Sequence, residues 1–535
     1  YPQENYAEQS SAGIWAAAVR SVREALRDSG VSPGKVVALG FDATCSLVAL
    51  DRNNQPLSVS PSGESSRNII VWMDHRAQGQ ADRINATGHD VLRYVGGSLS
   101  PEQEPPKLKW IKENLPETWA NAGKFLDLAD YLVFRACGED VRSLCTMVCK
   151  WTYLGHQGTD GAWDLSFFEQ IGLQDLFENG KAGTRIAPVG SRAGFLTQAA
   201  ASELRLREGI AVATGIIDAH AGGLGVLGMH YADESNAGLK RPNDRLALVA
   251  GTSSCHLALS REARFINGIW GPCYGAMVPN LWLNEGGQSA TGALVDFIIE
   301  SHMAYSSVAE AAVASGRTVY EVLNDDLAAM TLEERQGALR DLHLLPDFHG
   351  NRSPRADSRA TGMISGLTLD SSRRNLALLY LATLEALALG TRHIIDQMNR
   401  VGYGIRRLHV CGGGSKNRLL MQEHADATGC DVYVSPNAEP VLLGSAMLAA
   451  AAAGIYPSVL AAVDHMSLEA EVIRPNLKRG RFLEAKHRVF LQMYEHQLDY
   501  RWIMRNESGT SSAGVNTRRL TRGDEGLAAL PQEEQ

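Results

Sequence analysis

One carboxylate in this chain is placed for acid–base chemistry: Asp218, in the run Gly215-Ile216-Ile217-Asp218-Ala219-His220-Ala221-Gly222-Gly223-Leu224-Gly225. The apolar stretch 209–217 reads as a buried strand, and the glycine-rich stretch after it can open a helix. A carboxylate at a strand's C-terminal edge, beside backbone that a ligand can approach closely, suits a general base. An aspartate capping the following helix is the structural alternative.

Two further glycine-rich stretches bear on that choice. In 246–259, two apolar runs flank Gly251-Thr252-Ser253-Ser254, which predicts a hairpin with backbone N–H groups and hydroxyls at its tip. Such a tip can cradle phosphate oxygens. In 408–417, a short strand runs into Gly412-Gly413-Gly414 and then Ser415-Lys416-Asn417, before a predicted helix over 418–428. A strand–glycine–helix turn lets a flat ring or a phosphate lie on bare backbone at a helix N-terminus. Lys150 between Val148 and Trp151, and Glu285 between an apolar run and a glycine pair, are charges in apolar surroundings. Such groups need partners, and the hydroxyls of a ligand or another side chain would serve.

Longer motifs carry a resemblance. Gly40-Phe41-Asp42-Ala43-Thr44-Cys45-Ser46-Leu47-Val48, Trp72-Met73-Asp74-His75-Arg76-Ala77 and Cys149-Lys150-Trp151-Thr152-Tyr153 stand in the first half. Asn284-Glu285-Gly286-Gly287-Gln288-Ser289-Ala290-Thr291-Gly292 and Pro346-Asp347-Phe348-His349-Gly350-Asn351-Arg352-Ser353-Pro354 stand in the second. From about residue 8 to about residue 504 the chain resembles the FGGY carbohydrate kinases, in particular pentulose kinases of the D-ribulokinase type. The resemblance implies an α/β, actin-like (ribonuclease H-like) two-domain fold, with sugar and ATP·Mg²⁺ in the cleft between domains. It implies D-ribulose as substrate and Asp218 as catalytic base, also a candidate Mg²⁺ contact through Mg-ATP. It implies sugar contacts from Asp74, His75, Arg76, Ala77, Lys150 and Glu285. Nucleotide contacts are implied for Gly251, Thr252, Ser253, Gly412, Gly413, Gly414 and Asn417. The family's first phosphate motif, a glycine- and threonine-rich hairpin after an aspartate, has no counterpart here. The expectation is a first domain lacking its opening strands, with an exposed strand edge. That leaves either a truncated kinase or a non-catalytic member that binds sugar or nucleotide.

The elements that must position these residues are legible. A helix over 14–28 capped by Ser10 or Ser11, a buried strand over 36–41 ending at Asp42, and a helix starting near Lys107 are predicted. A long helix over 371–398, a helix over 442–455 behind the glycine loop and a closing helix over 482–505 follow. The expected organisation is a sugar-binding domain over 1–229, a surface linker over 230–245, an ATP-binding domain over 246–505 and a disordered tail over 506–535.

Several classes are disfavoured. Gly223-Leu224-Gly225-Val226-Leu227-Gly228 satisfies the dinucleotide-binding pattern, but it falls inside the helix expected after Asp218, not in a strand–turn–helix unit. No P-loop pattern occurs. A net charge of −9 argues against nucleic acid or an anionic membrane as partner, and no apolar run approaches a membrane span. Eight cysteines without a Cys-x-x-Cys pair suit reduced thiols in the cytoplasm, and His220 reads as a residue behind the site and not a metal ligand. A homodimer is compatible with all of this.

Overall fold

The computed structural model describes residues 5–158, 162–231, 239, 241–436 and 439–507. Residues 232–238 and 240 of the expected linker, and all but the first two residues of the 506–535 tail, lie outside the described residues.

The first half is built from short strands and many helices. The helix Ser11–Ser29 starts where the Ser10 hydroxyl accepts the Gly13 N–H at 3.2 Å, and it stops at Gly30 with φ 65°. A side-chain cap at one end and a left-handed glycine at the other satisfy backbone groups that a helix leaves unpaired. Its Trp15 is buried against Phe41, 6.3 Å between ring centroids. One sheet orders Glu8–Gln9, Ile69–Ile70, Leu47–Asp51 and Ala122–Asp127. A second orders Ala38–Leu39, Ala211–Ala213 and Arg192–Phe195, and the strand Ile216–Ile217 pairs in parallel with Asp42–Ala43.

Two expected strands are therefore broken. The 36–41 stretch gives only the half-buried pair Ala38–Leu39, with Val37 47% exposed, and pairing resumes at Asp42. Gly40 explains the interruption: a Cβ there would lie 2.3 Å from the Ser445 carbonyl oxygen, so the backbone runs against a helix where a pleated side chain would collide. The 209–217 stretch splits into Ala211–Ala213 and Ile216–Ile217. Gly215 between them passes the Ala129 carbonyl so closely that a Cβ would sit 2.8 Å from its oxygen.

The second half centres on a seven-stranded sheet ordered Trp270–Tyr274, Trp282–Gln288, Ser254–Ser260, Arg245–Ala250, Arg407–Cys411, Asp431–Val434, Glu471–Ile473. Arg245–Ala250 and Ser254–Ser260 form the predicted hairpin, closing at Ala250 opposite Ser254. Arg245–Ala250 also runs parallel to Arg407–Cys411, with Val249 beside Cys411. Both glycine-rich loops therefore leave the same end of adjacent strands, where α/β sheets bind ligands. The long helix Arg373–Arg400, capped by Ser372, is buried along most of its length. It is apolar enough to cross a membrane by length and composition, contrary to the sequence expectation, but 83% of its apolar window is buried, as in a soluble core helix. The last helix runs Gly480–Glu507, and its residues from Leu491 belong to a separate compact unit.

Candidate active site

Asp218 is the first residue of the helix Asp218–Leu227, which leaves directly from Ile216–Ile217 with no side-chain cap. Its Oδ1 accepts the Ala219 N–H at 2.7 Å, so the carboxylate turns back onto the helix N-terminus and remains half-buried. Burial pushes its pKa above the ordinary carboxylate range and the Glu285 charge adds to this, against the opposing Ala219 N–H, His220 and Lys150. Asp42 stands beside it, because Ile216 and Asp42 are register partners. The Asp42 carboxylate accepts the Ser445 hydroxyl at 2.6 Å, and burial, then the Asp218 charge, raise its pKa against that bond.

The glycines after Asp218 serve packing, as the sequence implied. A Cβ on Gly225 would lie 2.0 Å from the Pro440 carbonyl oxygen, and one on Gly444 would lie 1.9 Å from that of Ala221. The Asp218 helix and Pro440–Ala452 thus touch backbone to backbone. Gly222 rests against Cys411 and Val249, with a Cβ there 3.3 Å from the Cys411 sulfur. One helical turn is about 5.4 Å, which puts Asp218 just beyond the strand ends that carry both glycine loops.

At those loops the two ends meet. Gly412 has φ 90°, and a Cβ on it would stand 2.3 Å from the Ala250 carbonyl oxygen, so only glycine fits. Gly413 has open space where a Cβ would project, and Gly414 touches Ala250. The 251–253 turn is held by the start of the helix Gly292–Glu300: the Thr291 hydroxyl donates to the Gly251 carbonyl at 2.9 Å, and the Gly292 N–H donates to the same oxygen at 3.1 Å. Gly251 and Thr252 stay exposed. Asn417 has structural employment: its Oδ1 caps the helix Arg418–Thr428 through the Leu419 and Leu420 N–H groups, and its Nδ2 donates to the Tyr380 hydroxyl at 2.6 Å.

A second cluster gathers around Lys150 and Glu285. Lys150 ends the helix Leu144–Lys150, is 4% exposed, and holds its ammonium 4.8 Å over the Trp270 ring. Burial acts to lower its pKa, but the Glu285 and Glu102 carboxylates, with a hydrogen bond to the Cys45 sulfur, reverse that and keep it protonated. The Cys45 thiol itself is pushed up to about 12 by burial, so it stays neutral. Glu285 lies in the strand Trp282–Gln288 opposite Trp270 and receives His220 Nε2 at 3.0 Å. Burial would raise its pKa, yet His220, Lys150 and Arg352 bring it down to about 2.

Sequence reasoning assigned no role to Arg352 or Glu102. Arg352 reaches Glu102 at 3.3 Å, a partner 250 residues away, and lies 5.5 Å from the Trp270 ring and 5.7 Å from that of Trp72. Gly287 makes room for it, since a Cβ there would fall 2.7 Å from Arg352 Cδ. Burial acts to raise Glu102, but Arg352, His75 and Lys150 hold it down at about 2. The signal for Arg352 was its place in the 346–354 motif; nothing local marks Glu102.

The Asp74–Ala77 stretch divides. Arg76 is wholly internal, bonded to Asp74 at 2.7 Å and Glu8 at 2.9 Å, with its guanidinium 4.1 Å over the Tyr6 ring. Asp74 also accepts the Ala7 N–H at 2.7 Å. Both spend their capacity on the fold, and Ala77 is in the core. His75 alone faces the charged cluster, 3.6 Å from Glu102 and stacked on His349 at 6.0 Å.

Family models match most of this chain: the N-terminal domain of the FGGY family of carbohydrate kinases over residues 1–225, and its C-terminal domain over 246–453. The chain belongs to the FGGY family of carbohydrate kinases. It is 49% identical over 509 residues to an FGGY carbohydrate kinase domain-containing protein of Xenopus laevis, covering 94% of this chain and 92% of that one. It is 38% identical over 481 residues to a D-ribulokinase of Saccharomyces cerevisiae, covering 84% of this chain and 66% of that one. The fold matches a xylulose kinase from Rhodospirillum rubrum with TM-score 0.71 at 22% identity, covering 94% and 92% of the two chains. A xyloylose kinase from Brucella ovis matches with TM-score 0.73 at 19% identity, covering 94% and 93% of the two chains. This FGGY kinase is thus an α/β, actin-like, two-domain carbohydrate kinase, as the sequence implied. Among the described residues no three His, Cys, Asp or Glu side chains form a metal cage.

Proposed function

We propose that this chain transfers the γ-phosphoryl group of ATP to the terminal hydroxyl of a pentulose, with D-ribulose the expected substrate and D-ribulose 5-phosphate the product. The similarity to a D-ribulokinase supports this, as does a 32% identity over 491 residues to a ribulokinase of Shouchella clausii. The observation that carries the reading is the setting of Asp218. It is a half-buried carboxylate of raised pKa, one helical turn before a glycine packed on the two strands that carry the glycine-rich loops, with charge coupling to Lys150 and Glu285.

The division of labour follows from geometry. The Gly251 N–H is spent on the Ser253 carbonyl at 2.9 Å, so the exposed Thr252 at that tip and the open face of Gly413 are what fit nucleotide phosphates and adenosine, which need donors and close approach. Lys150, Glu285, His75, Arg352 and Glu102 present paired donors and acceptors for sugar hydroxyls, with Trp270 as an apolar floor. Mg²⁺ would be held largely by the phosphates, as such sites usually are, with Asp218 and Asp42 as the nearby carboxylates; it would neutralise charge on the phosphates. Asp218 accepts the proton of the terminal hydroxyl as that oxygen bonds to the γ-phosphorus, and the bond from phosphorus to the ADP oxygen breaks in line. Exclusion of water from the cleft limits ATP hydrolysis. Eight free cysteines suit a reducing compartment such as the cytoplasm.

The test is sugar-dependent ADP release with Mg-ATP and D-ribulose, L-ribulose or D-xylulose, with Asp218→Asn as the blank. D-ribulose should give the highest kcat/KM, and the variant should lose about 10²–10⁴-fold in kcat. Failure of all three sugars, or near-normal turnover by the variant, would refute the reading.

A further inference from the structure

His220 is buried and lies two residues beyond the base on the same helix, yet neither the phosphate nor the sugar side uses it. Its Nε2 stands 3.0 Å from Glu285 Oε2 and its Nδ1 stands 3.1 Å from Cys145 Sγ. An ionised carboxylate only accepts, so the bond to Glu285 requires the proton on Nε2. The other ring nitrogen, Nδ1, faces the Cys145 sulfur: in the neutral ring it accepts the Cys145 S–H, and in the imidazolium it donates to the sulfur.

The three members come from three different elements. Cys145 lies in the helix that ends in Lys150, His220 in the helix that begins with Asp218, and Glu285 in the strand opposite Trp270. The hydrogen-bond chain therefore ties together the carriers of the three groups assigned to the reaction. It also spans the segments matched by the two family domains, residues 1–225 and 246–453. Lys150 and Arg352 face Glu285 as charges, but charge alone does not fix the plane of a carboxylate. A hydrogen bond from a buried, two-sided ring does.

We propose that His220 is a positioning residue: through the Cys145–His220–Glu285 chain it orients the Glu285 carboxylate toward the sugar and fixes its distance from Asp218 and Lys150. The inference rests on the kinase reading above. Its expected signature is selective. Loss of the bond to Glu285 should weaken sugar recognition about ten- to a hundredfold, the usual effect of losing a hydrogen bond to a charged group, and leave nucleotide binding alone.

Three measurements decide it. His220→Leu should raise KM for D-ribulose about tenfold or more with KM for ATP within twofold, and His220→Gln, which keeps one N–H donor, should recover much of the loss. A double-mutant cycle with Glu285→Gln should be non-additive, since the second change removes what the first acts on. A sugar KM within twofold of wild type in His220→Leu, equal rises in both KM values, or strict additivity would overturn the proposal. If His220→Leu does not fold, His220→Gln and the cycle built on it answer the same question. The third readout needs no turnover: ¹⁵N-histidine NMR should show His220 protonated at Nε2, its shifts moving in both Glu285→Gln and Cys145→Ala. An Nδ1–H tautomer, or shifts blind to both changes, would sink the chain even if no pentulose proves to be a substrate; absence of activity alone would count against the kinase reading instead.

Discussion

Gly412 and Gly413 are neighbours with opposite tolerances, and that difference tests the nucleotide loop. At Gly412, φ is 90° and an added Cβ would lie 2.3 Å from the Ala250 carbonyl oxygen. The backbone strain is worth about 1–3 kcal/mol and the overpacking about 1–3 kcal/mol more. Gly412→Ala should therefore cost about 4 kcal/mol and, in a domain of roughly 200 residues, lower Tm by roughly 10 °C. At Gly413 nothing lies within 4 Å of the added Cβ and no left-handed φ is required. Gly413→Ala should leave Tm within about 1 °C, because a surface change of this kind stays within about 0.5 kcal/mol. If adenosine or phosphate lies on that bare backbone, the same methyl takes its place, and KM for ATP should rise about tenfold or more from overpacking against the ligand. Differential scanning fluorimetry and ADP release at saturating sugar, varying ATP, give both numbers. An unchanged ATP KM in Gly413→Ala would refute the nucleotide assignment of this loop, and an unchanged Tm in Gly412→Ala would refute the steric argument.

The pH and charge predictions follow from the shifted carboxyls. Asp218 titrates above the ordinary carboxylate range, so kcat/KM should fall on the acid side at a pH above that of a free aspartate, and Asp218→Asn should lose that limb. Persistence of the limb in the variant would assign it elsewhere, with Asp42, also raised, the next group to change. Glu102 is held at about 2 against an ordinary 4.5, so its contribution of about 3 kcal/mol is complete above pH about 4.5 and disappears as pH falls toward 2. Glu102→Gln should be less stable than wild type by about that amount at pH 7 in urea unfolding, and the gap should narrow below pH 4.5; a gap independent of pH would show that lost packing, not charge, is responsible. Lys150→Met should raise KM for D-ribulose by about tenfold or more, through loss of a charge-assisted contact and of the counter-charge to Glu285 and Glu102, with KM for ATP unchanged. A change confined to KM for ATP would move Lys150 to the phosphate side.

Which parts of this site could be foreseen depends on how far apart its members lie in sequence. The 251–253 hairpin tip, the 412–414 turn with its helix over 418–428 and the helix opened by Asp218 were all legible, because glycine placement and apolar runs act over a few residues. The glycine pattern after Asp218 was also legible as helix packing, and Gly225 against Pro440 and Gly444 against Ala221 are that packing. The 36–41 stretch misled for the converse reason: its apolar run satisfies a strand, but a helix some 400 residues later presses on Gly40 and interrupts it. The Asp74–Ala77 motif is ambiguous in sequence because composition cannot distinguish a charge that waits for a ligand from one already answered. Arg76 is answered by Asp74, Glu8, Tyr6 and Trp110. Arg352 and Glu102 were silent for the same reason, since each acquires its meaning only from the other across 250 residues. A buried charge becomes informative only once its counter-charges can be named. Where they are all protein groups, as at Arg76, the site is architecture. Where two cations and two carboxylates share a tryptophan floor and keep about a tenth of their side-chain surface open, as Arg352 and Glu102 do beside Lys150 and Glu285, the remaining valences are left for hydroxyl groups.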